Sequence, residues 1–412
     1  MDVERFRPGM GAGSVAAGVG GGILVLRAVG ILALSAAAAC VESEGLPVTV
    51  TDSAGVTITI NRDDSVPFAR VSTEPILSLG GPEAAGPTLF SRIQDIHVDT
   101  RGRLWVADGG SGELRIFLPD GSPWKVRGGR GEGPGEFVYI RLLGARSGDS
   151  VFMADTDGRI AVYDPEGELA RTGRVPSDES PAPRPFSVFA DGSVLGQVPR
   201  IVMVGDVAPG QVLPDSVDLV RVDLDARARR PYGGARGALW IWTGRNQVPV
   251  PFTTNAGFDV GVGEEVHLVS GPSFRIHVFS EGRLEEIYGV DRPPRPVSDE
   301  DVAAYRRMAE EWVPEAQRAD YLAALESEAR PADLPAYARL LVSTQGEVWA
   351  QRYEADPAAA PVWDVFDSER RLVGQVTTPA SFVVMCITPD AVVGVWRDDV
   401  GVEYVRSYAV HD

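Results

Sequence analysis

Acid-bearing turns hold the residue types that could do chemistry. Asp108, Ser111 and Glu113 flank the turn in LWVADGGSGELRIF, and Asp155 and Asp157 lie in MADTDGRI. Arg130, Glu132 and Glu136 stand between them, in the glycine-rich GGRGEGPGEF. Carboxylates interspersed with arginine suit a polar or cationic ligand, so these eight residues are expected to bind one. Solvated turn residues are the plainer explanation of the same pattern. Asp155-Thr156-Asp157-Gly158 opens like a calcium loop but lacks further oxygen ligands and a distal glutamate. No cofactor is therefore expected, with a divalent cation such as calcium as the alternative.

Other constellations are weaker. The four histidines, His97, His267, His277 and His411, form no HExxH, and only His97 shares a strand face with an acid, Asp95. No metal ligand or catalytic residue is assigned. GGRGEGPGEF fails the spacing of both phosphate-binding glycine motifs and precedes a strand, so no helix N-terminus stands ready for an anion. No GxSxG supplies a nucleophile elbow.

A repeat positions these turns. RIQDIHVDTRGRLWVADG (92–109) and YARLLVSTQGEVWAQRY (337–353) each run apolar, then turn, then apolar with a tryptophan, Trp105 or Trp349. Weaker copies surround Gly148, Gly192, Gly263 and Asp390. Gly102, Gly148, Gly192 and Gly346 occupy equivalent turns, where a hairpin demands positive φ. A second hairpin follows each copy, as in LRIFLPDGSPWKV and RIAVYDPEGELART. Four short strands per unit, six units, and a spacing of 44 to 46 residues where nothing is inserted predict an all-β fold, a six-bladed β-propeller. In that fold the acid-bearing turns and the inter-blade connections emerge on one face around the channel mouth.

The ends should close the ring. VTVTDSAGVTITI (48–60) reads as a hairpin, and PILSLGG (75–81) as the outer strand of the last blade, pairing with the segment that ends near Val410. Two interruptions are expected: a long connection, GGARGALWIWTGRNQVPVPF, in the third repeat, and a short helical insertion at 298–330. Ser298 can cap the insertion, Asp299–Asp301 suit its first turn and Pro314 breaks it. The insertion is read as a lid on the rim.

VTDSAGVTI, LWVADGGSGELRIFLPDG and GGRGEGPGEF, in that order, resemble the NHL-like six-bladed propeller proteins of bacteria, which are often exported and lipid-anchored. The resemblance spans most of the chain from Val48 to Val410 and implies binding of sugar, peptide or protein. It implies no single reaction, because propellers host many functions. Propeller lactonases hold a divalent metal with channel carboxylates and Asn; here Asn61, Asn246 and Asn255 are at no convincing inner-strand position.

The N-terminus carries an address. Ala28–Ala39 is an apolar run of 12 residues behind Arg27, shorter than the ~20 needed to span a bilayer but the length of a signal-peptide core. Ala37-Ala38-Ala39-Cys40 resembles a bacterial lipobox, with Ala37 where Leu is commonest, which implies cleavage before Cys40 and acylation of its thiol. The expected organisation is a signal peptide over 1–39, a linker over 40–47 and the propeller over 48–412, anchored in the cell envelope. An ordinary secretory leader is the alternative. Cys386, in FVVMCI, reads as a small buried hydrophobe.

Composition limits the partners. With 44% hydrophobic residues over 412 positions and only 2 Cys, the chain is neither disordered nor a disulfide scaffold. Its 58 acidic against 39 basic residues give a net charge of −19, without the basic face that nucleic acid requires. The expected function is a monomeric, non-catalytic binding or scaffold module for a protein, peptide or glycan. A metal-dependent hydrolase or lyase at the channel mouth is the alternative.

Overall fold

A computed structural model describes residues 48–62, 67–146, 149–176, 181–198, 207–253 and 256–410. The leader and Cys40 lie outside these residues. The described chain is built of β-sheets, with two helices inserted late.

Six sheets follow one another along the chain. The first joins Ile93–Val98, Leu104–Asp108, Glu113–Phe117 and Pro123–Gly128, each strand antiparallel to the next. The second repeats this order from Ile140–Arg146 to Leu169–Arg174. The third starts at Arg184–Val188, the fourth at Gly257–Val260, the fifth at Tyr337–Val342 and the sixth at Phe382–Ile387. Contacts run from the first strand of each sheet to the first strand of the next, and from that of the sixth sheet to that of the first.

Alternation along the strands explains the packing. Successive side chains point to opposite faces of a sheet. In the first sheet Trp105 and Ala107 face the second, meeting Val151 and Met153, whereas Leu104 and Val106 face the sixth, meeting Val393 and Val395. Phe152 and Ala154 meet Val194 and Val222 of the third sheet. Leu195 and Leu219 meet Phe258 and Leu268 of the fourth, and Ile276 and Tyr288 meet Val348 and Phe366 of the fifth. Trp349 and Trp363 meet Val384 and Val392 of the sixth. Middle strands covered on both sides are buried throughout, as in Leu104–Asp108, while the outermost strand Leu169–Arg174 is exposed along its length.

The N-terminal segment threads the outer edges of three sheets. Val48–Ser53 and Val56–Asn61 form a hairpin that adds to the fourth, with Val56–Asn61 parallel to Arg283–Val290. Phe68–Arg70 adds parallel to the fifth, and Leu77–Gly80 pairs antiparallel with Glu403–Ala409 of the sixth.

The third sheet departs from expectation. GGARGALWIW is not a connection: it continues the strand Ala228–Trp242, which pairs back along Val212–Asp223 and then with Gln247–Pro249. The long arm survives because its far end is covered. Ile241, Val248 and Val250 pack with Ala324 of the helical insertion. That insertion is two helices, Asp299–Trp312 and Glu315–Leu325, separated at Val313-Pro314. Ser298 caps the first reciprocally with Asp301.

Candidate functional site

The first strands of the six sheets enclose a cavity of about 1240 Å³, above the ~300–1,000 Å³ usual for small-molecule pockets. A register irregularity interrupts the pairing of five of the six strands; the one starting at Gly257 is regular. A bulge re-aims side chains. Consecutive residues line the cavity together, as Gln94 with Asp95, Phe186 with Ser187, and Met385 with Cys386, and the regular strand at Gly257 does the same.

Two arginines and five aspartates line the cavity: Asp95, Arg141, Asp259 and Arg339 on the first strands of the first, second, fourth and fifth sheets, and Asp99, Asp149 and Asp390 on turns that follow first strands. Burial raises the Asp95 carboxyl to about 7, a shift that the charges of Arg141 and Arg339 only partly oppose. The carboxylates bond to backbone amides. Asp95 Oδ1 accepts from Ile96 N at 2.8 Å, and Asp259 accepts from Val260 N at 2.8 Å and Val342 N at 3.0 Å. Burial also lowers the high pKa of Arg339, while Asp95 and Asp259 support its charge. The Arg141 guanidinium lies 4.6 Å from the centre of the Phe186 ring, which in turn lies 4.1 Å from that of Phe258.

Arg141, which is exposed, and Arg339, which is half-buried, differ from the arginines held by ion pairs. Arg103 pairs with Asp99, Arg115 with Asp108 and Glu113, and Arg221 with Asp191 and Glu264. Arg292 and Arg352 share Asp364. Among the described residues no ion pair or hydrogen bond joins Arg141 or Arg339 to a protein acceptor; each guanidinium instead lies beside an aromatic ring, Phe186 or Trp363.

The eight residues singled out in the sequence lie elsewhere, and none lines the cavity. Asp108 is buried and accepts from the backbone N–H groups of Ser91, Gly110 and Ser111. Arg115 ties Asp108, Ser111 and Glu113 together, with Nε 3.0 Å from Glu113 Oε2 and Nη2 3.2 Å from Ser111 Oγ. Asp155 is likewise buried, accepting from Asp157 N, Arg159 N and the Arg159 side chain. Glu136 accepts from Gly133 N at 2.9 Å. Arg130, Glu132, Glu136 and Asp157 are exposed. The structure thus gathers Asp108, Ser111 and Glu113 into one network and does not join them to the other five.

Two further expectations are refined. Cys386 is half-buried and its residue lines the cavity, with burial pushing its thiol up to about 11. His97 also lines the cavity, while His267 is buried against Tyr288, Nδ1 to Oη at 3.0 Å. Sequence reasoning missed Arg141, Asp259 and Arg339. A signal existed for part of the set: Asp95, Arg141 and Arg339 each precede by seven residues the equivalent turn glycines Gly102, Gly148 and Gly346.

A resident metal is a poor fit to this wall. Among the described residues no group of three or more His, Cys, Asp or Glu side chains converges as a metal site. The five aspartates of the lining are spread over separate strands and turns and are interspersed with two arginines.

No protein-family profile matches the chain, and no curated protein matches it. Solved structures do. A member of the DUF4221 family from Bacteroides vulgatus is 10% identical at a TM-score of 0.48, covering 84% of this chain and 100% of its own. A gluconolactonase from Xanthomonas campestris is 12% identical at 0.42, covering 84% and 99%. Virginiamycin B lyase from Staphylococcus aureus is 11% identical at 0.39, covering 81% and 98%. These are bacterial β-propeller-like proteins. At such identities no activity carries over to this chain.

Proposed function

We propose that the chain is an exported six-bladed β-propeller, anchored through Cys40, that acts as a non-catalytic binding module and holds its ligand in the central cavity. The ring reading is supported by the six sheets, by the first-strand contacts that return from the sixth sheet to the first, and by the pairing of Leu77–Gly80 with Glu403–Ala409. The observation that carries the binding reading is the convergence of charged, polar and aromatic side chains from all six sheets on one cavity. A peptide or glycan would enter it by an end.

Two experiments test this. Gln94 is exposed and lines the cavity, so Gln94→Trp should fill space there without disturbing the core. In a thermal-shift screen of small peptides, sugars and organic acids, compounds that stabilise the wild type should fail to stabilise Gln94→Trp. Hits of equal strength in both proteins would overturn the cavity reading. Separately, labelled palmitate should appear on the wild type and not on Cys40→Ala, and the variant should leave the membrane fraction. An unlabelled wild type remaining in the cytoplasm would sink the export reading.

A further inference from the structure

We infer that the face on which the first strands begin is turned to the membrane, and that Trp312 of the helical insertion seats in the lipid interface there. The inference rests on the reading of Cys40 as a lipid anchor and adds which way the anchored molecule lies. Four antiparallel strands return the chain to the end of the sheet where it entered, so connections between sheets share the face where first strands begin. In the fourth sheet Val48 pairs with Asn61 and Asn61 with Val290, at the end where Arg275 pairs with Gly289 and Gly257 with Val269. Val48 therefore lies at this face. Cys40 precedes it by eight positions, a reach of at most about 28 Å. Acyl chains on Cys40 would hold the bilayer within that distance of the hairpin.

The largest excursions of the fold rise from the same face. The arm of the third sheet carries Val212 and Ile241 beyond the end where Val198 pairs with Asp218. The insertion leaves the fourth sheet after Val290, enters the fifth at Tyr337 and packs on that arm. Among the described residues the two most exposed large apolar side chains both lie at this end: Val400 at 84% and Trp312 at 71%. Val400 is on the turn joining Ala391–Arg397 to Glu403–Ala409, beside the start of the sixth sheet's first strand. Leu89 and Tyr139, also exposed, lead into the first strands of the first and second sheets. A lone exposed apolar residue is ordinary; four at one end, beside the tether, make a set that lipid would cover. Tryptophan and tyrosine are the side chains that favour the headgroup level. Charge plays no part in the attraction, because residues 298–330 hold nine acidic and four basic side chains, and zwitterionic lipid is the matching surface. The other end of the cavity, lined by the turns at Thr100, Ser343 and Asp390, then faces away from the membrane.

The test uses full-length protein purified from membranes and inserted into phosphatidylcholine vesicles whose acyl chains are brominated near the headgroup. Trp312 is exposed and the other seven tryptophans are buried or half-buried, so bromine should quench one tryptophan's share of the emission. Trp312→Phe should still float with the vesicles, melt at the same temperature and lose that quenching. In the Trp312→Phe background, Val400→Trp should restore quenching. Ile76→Trp should not, since Ile76 is exposed at the opposite end, bonded to Ser407. Wild type that floats unquenched, or quenching of Ile76→Trp as strong as that of Val400→Trp, would overturn the face assignment and leave the anchor standing. Wild type that does not float would overturn the anchor reading, and this inference with it.

Discussion

The side-chain oxygen of Asn61 accepts the backbone N–H of Leu372 at 2.9 Å, across 311 positions of sequence. Its amide nitrogen donates to the carbonyls of Gly289 at 3.0 Å and Arg370 at 2.9 Å. One buried side chain thus fastens the N-terminal hairpin to the last strand of the fourth sheet and the last hairpin of the fifth. Asn61→Ala is expected to cost about 2–3 kcal/mol, since it strands a buried amide and two carbonyls. Asn61→Asp should cost at least as much, because it sets an oxygen against those carbonyls. Urea unfolding of the purified protein checks both. Unchanged midpoints would mean that the hairpin is not fastened there.

Asp364 is a second joint. Its buried carboxylate accepts from Arg292 Nη1 at 2.9 Å, Arg352 Nη2 at 2.7 Å and Tyr337 Oη at 3.0 Å. Asp364→Asn leaves two guanidinium groups without their counter-charge, and should destabilise by about 3–5 kcal/mol. Tyr337→Phe removes one hydrogen bond and should cost only about 1 kcal/mol. Similar melting temperatures for the two variants would refute this ranking.

The Asp95 carboxyl, raised from 3.8 to about 7, makes stability depend on pH. The folded state binds this proton more tightly than the unfolded chain does. Its contribution is therefore fully present below about pH 4 and is lost as pH rises through about 7. Arg141, Arg339 and Asp259 act on the carboxyl, and His97 and Cys386 share the cavity wall. His267 and His277, held neutral by desolvation, work in the opposite direction below about pH 6.5. The comparison of wild type with Asp95→Asn removes them. From pH 5 to pH 8 the wild type should lose stability relative to the variant, and chemical denaturation at the two pH values measures it. A constant difference would show that Asp95 titrates normally.

Cys386 reports on access to the cavity. With its thiol pushed up to about 11, little thiolate exists at neutral pH. Alkylation by iodoacetamide, located by peptide mass mapping, should be slow at pH 7.5 and faster at pH 9. Rapid labelling at neutral pH would contradict this placement.

The turn glycines, the tryptophan-bearing strands and the Ser298 cap made the strands and the helical break legible in the sequence, because each follows from local backbone preference and period. The edge pairing of Leu77–Gly80 with the C-terminal strand was legible as well, since SLGGPEAAGPTLFSRI mirrors the later VRGGRGEGPGEFVYI. The long third-sheet arm was not. Its glycines and arginines read as a loop until the helical insertion covered its apolar face. Asp108 and Asp155 advertised chemistry by type and spacing, yet their lone pairs go to backbone amides and a neighbouring arginine. Sequence by itself determined the units and their order. Which residues share the cavity was decided by tertiary structure alone: Arg141 and Arg339 lie 198 positions apart, and only the gathering of six first strands brings them to one wall.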